Sequence, residues 1–200
     1  DPTWSDRYRL WQSPDGQAPS GWPESRVGSQ RLDYGMDPDV VNNPEFGPLL
    51  RDALVDLPSI SIVTDLDHLF DRRTGIFVNA INARGNNAEW ERPASVELIY
   101  PDGSEGFQVD AGLRLRGGYG RSGDNPKHAF RLVFRNDYGE GKLRYPLFGD
   151  EGVAEFDNID LRTAQVPSWT LCHPDAEDIP ADCPHNTMVR EVFSRDTLRD

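Results

Sequence analysis

The stretch that decides the fold is SVELIY at 95–100, PDGSEG at 101–106 and FQVDAGLRLRG at 107–117. The first and last segments alternate apolar and polar residues with the two-residue period of a half-buried strand. Between them Asp102-Gly103 supplies a turn, so the whole reads as an antiparallel hairpin. In its second arm Leu113 and Leu115 face one way, and Arg114 and Arg116 the other. HAFRLVFR (128–135) repeats the alternation, with Phe130, Leu132 and Phe134 opposite Arg131 and Arg135. FDNIDLRT (156–163) adds a further strand, and DYGEGK turns the chain before LRYPLFG.

Upstream, SISIVT (59–64) is rich in β-branched residues and reads as a buried strand, and TGIFVNA (74–80) as another short one. Asn43-Pro44-Glu45 is an N-cap with proline at the first helical position, leading into a helix that Pro58 ends. Asp65 caps a short turn, DLDHLFD. Residues 1–43 carry Pro, Gly and Asp with no sustained period and read as irregular leader or linker that wraps Trp4, Trp11 and Trp22 around the following domain. Near the end, Asn186 caps a helix with Met188, Val189, Val192 and Phe193 on one face. The sum is an α+β fold, mainly antiparallel sheet with a few helices.

The 200 residues carry a net charge of −13, which argues against general nucleic-acid binding, since that rests on many cations. No run approaches the roughly 20 apolar residues of a membrane span. The chain starts at Asp1 without methionine and stops inside a helical pattern, as a fragment of a longer protein would. Against the acidic background, Leu113–Arg144 holds eight Lys/Arg and three acids, an island of +5 in a remainder of −18. Concentrated positive charge with mobile backbone suits an anionic ligand such as phosphate.

Inside the island, Gly118-Tyr119-Gly120-Arg121-Ser122-Gly123 matches G-x-G-x-x-G. A dinucleotide fingerprint must open a helix, and here a strand follows. Lys127 precedes His128 rather than Ser or Thr, so a P-loop is excluded too. What remains is strand, glycine loop, lysine, strand, the logic by which backbone amides and a lysine hold phosphates. The residues alone favour the simpler alternative, a flexible hairpin tip with solvated arginines. Asp65, Asp67 and Asp71 form an acidic cluster that suits helix capping better than Ca²⁺, lacking the glycine and glutamate of an EF-hand. His68, His128, His173 and His185 are scattered and form no nucleophilic constellation. Cys172 and Cys183 lie in a Pro/Asp-rich loop, where a disulfide would be worth about 3 kcal/mol. Free thiols, or zinc with His173 and His185, are the alternatives there, although the spacing fits no common zinc pattern.

LPSISIVTDLDHLFD, WERPASVELIYPDGSEGFQVDAGLRLRGGYGRS, NPKHAFRLVFR, YGEGKLRYPLFGD and HNTMVREVFSRDTLRD, in that order, resemble the CotH kinase family of spore-coat-related atypical protein kinases. The similarity covers roughly residues 32–200 and is nearest to large secreted bacterial multi-domain members. It implies that 44–200 is the N-terminal, nucleotide-binding portion of a kinase-like domain. It also implies ATP and Mg as cofactors, a nucleotide and a protein Ser/Thr substrate as partners, and an extracellular or cell-surface location. By the same resemblance Arg116, Gly117, Gly118, Gly120, Ser122, Lys127 and Arg131 form the nucleotide site, with Lys127 contacting phosphate and Glu191 a conceivable partner for it. The family's catalytic and metal-binding aspartates are expected beyond Asp200, so the implied fragment holds no catalytic residue or metal ligand of its own and is inactive alone. A pseudokinase, or an extracellular binding and assembly module that docks an acidic partner on the 113–144 island, are the alternatives.

Overall fold

A computed structural model describes residues 18, 20–32, 34, 41–81, 88–118, 121–123 and 128–162. The chain divides into two compact units, Asp1–Leu161 and Arg162–Asp200. Apart from Arg162, every described residue belongs to the first unit; the cysteine loop and the helix expected from Asn186 lie outside the described residues.

The fold is α+β and mostly antiparallel. Five strands, β3 (Ser59–Val63), β4 (Arg92–Ile99), β5 (Gln108–Arg116), β6 (Ala129–Val133) and β9 (Asn158–Leu161), form one sheet in that spatial order, every neighbouring pair antiparallel. Two small hairpins accompany it: β1 (Arg26–Val27) with β2 (Gln30–Arg31), and β7 (Leu143–Arg144) with β8 (Glu155–Phe156). Helix α1 (Leu50–Val55) follows a 3₁₀ turn at Gly47–Leu49, and α2 (Leu66–Phe70) lies between β3 and β4. Among the described residues no helix is long and apolar enough to cross a membrane.

The β4–β5 hairpin stands as the alternation requires, with Ala94, Val96, Leu98, Ala111, Leu113 and Leu115 buried on one face. Of these, Ala94, Val96, Ala111 and Leu113 pack with Leu132, Phe134, Leu143 and Ile76 into the main core. Each fully buried aliphatic side chain there contributes about 1.5–3 kcal/mol of transfer free energy. Gly103, at φ +76°, makes the turn, and the Ser104 amide donates to Asp102 Oδ1 at 2.9 Å. Asn43 closes the turn that leads into the 3₁₀ segment, its Oδ1 accepting from the amides of Glu45 and Phe46 at 2.8 and 3.0 Å. The helical elements themselves start later, at Gly47 and Leu50, without a side-chain cap.

Two strand readings change. SISIV is a strand, but an edge one in the five-stranded sheet, and Val63 is 65% exposed. Residues 74–80 form successive turns instead of a strand. The amides of Ile76 and Phe77 donate to the carbonyls of His68 and Leu69, so this backbone is satisfied by α2 and not by a sheet. Gly75 sits so close to α2 that an added Cβ would lie 2.6 Å from Leu69 O, which fixes glycine there. The turns still bury Ile76, Val78 and Ala80.

Within the segment read as leader, β1 and β2 pack onto the domain. Val27 and Leu32 join Val78 in a second small core, with Tyr34, Phe70 and Phe77 against it. Trp22 stacks edge-wise on Tyr34 and tilts over Phe70 at 5.2 Å.

Candidate functional site: the glycine turn between β5 and β6

Strand β5 lies in the middle of the sheet, and its carboxyl end delivers Arg116 and then Gly117 to the turn. Gly117 has φ +107°, a backbone state that a side chain strains. A Cβ on Gly118 would meet nothing within 4 Å, so its backbone lies open. The segment then folds back on itself. The Arg121 amide donates to Gly118 O at 3.2 Å, and the Arg121 guanidinium, buried, donates through Nη2 to Leu115 O at 2.6 Å. Ser122 is half-buried beside it.

The far end of the turn is held by residues distant in sequence. The Arg31 amide donates to Gly123 O at 2.7 Å, and a Cβ on Gly123 would lie 2.6 Å from Ser29 O. Gln30, 1% exposed, places Oε1 2.9 Å from Nε2 of the buried His128. The His128 ring also packs on Phe77 at 4.5 Å. The β1–β2 hairpin thus fixes the residue next to Lys127. Lys127 itself, with Gly120, lies outside the described residues.

The charged residues sit on the sheet face opposite the core. Register pairs Arg114 with Arg131 and Arg131 with Asp160, while Glu91, one residue before the Arg92–Leu113 pair, faces Arg114. A row with an acid at each end therefore crosses four chain segments: Glu91, Arg114, Arg131, Asp160. Arg131 grips Asp160 with both Nε and Nη2, at 2.5 and 2.9 Å, and Arg116 Nε reaches the same carboxylate at 2.9 Å. Hydrogen bonding from Arg131 holds the Asp160 carboxyl below its ordinary range, and the same contact raises Arg131. At the other end Glu91, its side chain 1% exposed, lies 3.6 Å from Arg114 and 3.4 Å from Arg135. Burial, and after it the Glu91 carboxylate, pushes the Tyr138 phenol up to about 12.

The solvated-arginine alternative holds only in part, for Arg116 and Arg144, whose side chains are 50% and 61% exposed. Arg114 and Arg121 are buried. Lys142 pairs with Asp157 at 3.3 Å, and Arg144 with Glu140 and Glu155 at 3.3 and 3.4 Å. The island's excess charge is thus met largely by acids outside it in sequence: Glu91, Glu155, Asp157 and Asp160. Of the residues expected to form the site, Arg116 ends β5, Gly117, Gly118 and Ser122 lie in the turn that follows it, and Arg131 is the middle residue of β6. The acidic trio does not form a site. Asp71 Oδ1 accepts from the amides of Arg73 and Thr74 and from the Thr74 hydroxyl, closing a local turn. No group of three metal-ligating side chains occurs among the described residues.

Sequence reasoning missed Ser29, Gln30, Glu91 and Asp160. Asp160 carried a usable signal, since alternation with Ile159 and Leu161 puts it on the polar face. Gln30 carried none. No family model matches the chain, and comparison with curated proteins and with solved structures gives no match.

Proposed function

We propose that the chain is the nucleotide-binding portion of a CotH-like atypical protein kinase, in which the 117–123 turn and Lys127 hold the phosphates of ATP for transfer to a protein serine or threonine. The observation that carries this reading is the turn itself. Gly117 takes a left-handed backbone, Gly118 is open, and Arg121, Arg31 and Gln30 fix the entry and exit. Backbone tied down on both sides before the ligand arrives needs little reorganisation to receive phosphate oxygens. Lys127 would add a cation after the turn, and Arg116 and Arg131 share the polar face of the sheet beside Gly117. Mg, which with ATP supplies charge neutralisation in phosphoryl transfer, is assigned to no residue of this chain. The extracellular or cell-surface location implied by the resemblance belongs to the same proposal.

Docking of an acidic partner on the whole island draws less support, because the acids of the fold already compensate most of its cations. The test is Mg-ATP titration followed by melting temperature. At a hundredfold excess over Kd, binding stabilises by about 2.7 kcal/mol, or roughly 5–10 °C for a domain of this size. Lys127→Ala is expected to weaken ATP at least about tenfold, as loss of a charge-assisted contact implies. Unchanged affinity in that variant removes Lys127 from the site, and no melting shift in the wild type refutes nucleotide binding.

A further inference from the structure

We propose that Arg116 and Arg131 form an anion cradle which Asp160 occupies in the free protein and a phosphate group of the ligand takes over on binding. Asp160 is then an internal competitor that sets the affinity of the site. The identity of the ligand rests on the nucleotide reading; the cradle rests on strand geometry alone.

Two guanidiniums from adjacent strands converge on one carboxylate, leaving the trio at +1. Three N–H groups point at it, from Arg131 Nε and Nη2 and from Arg116 Nε. This planar fork suits carboxylate and phosphate alike, and a phosphate brings more charge and a third acceptor oxygen. Two observations make Asp160 exchangeable. Its side chain is 27% exposed and that of Arg116 50%, so the carboxylate can leave for water. Glu91, at the opposite end of the same row, is 1% exposed and has no such route. The cradle is also where a ligand on the turn would need it, because Arg116 is the residue before Gly117. Solvent screens the exposed Arg116 contact, whereas the Arg131 pair is part-buried and is the one a phosphate must replace.

The probes are sodium tripolyphosphate and Mg-ATP, titrated calorimetrically at fixed ionic strength. The proteins are the wild type, Asp160→Asn, and Asp160→Asn combined with Arg116→Gln. Freed of its competitor, the cradle of Asp160→Asn is expected to bind tripolyphosphate about tenfold tighter, and the double variant to lose that gain. Equal or weaker tripolyphosphate binding by a folded Asp160→Asn protein overturns the inference. If that variant does not fold, Arg116→Gln alone takes its place. Its expected loss of tripolyphosphate affinity supports the cradle, and unchanged affinity overturns it. The Mg-ATP arm reads the nucleotide assignment separately. A tripolyphosphate gain without Mg-ATP binding leaves the cradle standing and removes the nucleotide reading, whereas Mg-ATP binding that Asp160→Asn does not tighten leaves the nucleotide reading and overturns the competitor.

Discussion

Replacing Glu91 by glutamine removes one charge from the most enclosed ionic group in the described sheet. The carboxylate is 1% exposed, faces Arg114 at 3.6 Å and Arg135 at 3.4 Å, and fills the space that Gly112 leaves by having no side chain. A Cβ at Gly112 would come within 2.6 Å of Glu91 Oε1. Removing one partner of a buried pair costs about 3–5 kcal/mol, because the remaining charge is still desolvated. Here the Arg114 side chain is 9% exposed and must stay in place, whereas Arg135 is 37% exposed and can turn to water. The lower end applies, about 3 kcal/mol. For a domain of this size that lowers the melting temperature by roughly 6–12 °C. Urea denaturation followed by tryptophan fluorescence should show the midpoint fall with an unchanged slope. Alkaline absorbance gives a second readout. Tyr138, now about 12, should titrate lower, though still above an ordinary tyrosine because its burial persists. A stability loss under about 1 kcal/mol would refute the reasoning, since it would place Glu91 among exposed ion pairs, which contribute that little.

Gly123→Ala puts a Cβ against Ser29 O and must shift the hairpin. The expected cost is about 1–3 kcal/mol, with weaker Mg-ATP binding, read by denaturation and calorimetry. At the acid end, Asp160 has a lowered folded pKa, so its contribution to stability is complete above the ordinary carboxylate range and disappears as pH falls through the lowered value. Melting temperature followed down the acid limb at constant ionic strength should fall less steeply in Asp160→Asn than in the wild type; identical slopes would contradict the assignment.

The meander was legible because its signals are local. Alternation and the Asp102-Gly103 turn are contained within SVELIYPDGSEGFQVDAGLRLRG, and the structure pairs β4 with β5 as that segment demands. The errors arose where the deciding partner is remote. TGIFVNA has the β-branched and aromatic composition of a short strand, yet its amides find the carbonyls of α2 and no strand is needed. SISIV has the composition of a central strand and lies at an edge, since β-branched residues specify a pleated surface and not a place in the order of strands. The basic island is the clearest case. Counting charges along the chain made it look like a patch of unmet positive charge, but Glu91 and Asp160 reach it only through register across the sheet. Of the candidate site, the glycines and Arg116 could be read directly, whereas the hairpin that fixes their far end could not.

That hairpin also bears on the order of folding. The Gln30–His128 hydrogen bond joins residues 98 apart, while β4 pairs with β5 and β5 with β6, each with the strand next in sequence. Neighbouring strands close short loops and can associate early; contacts of high sequence separation wait on a larger entropic cost. The sheet should therefore exist before residues 26–31 dock on it, and that docking becomes the step that pins Gly123 and His128 in place.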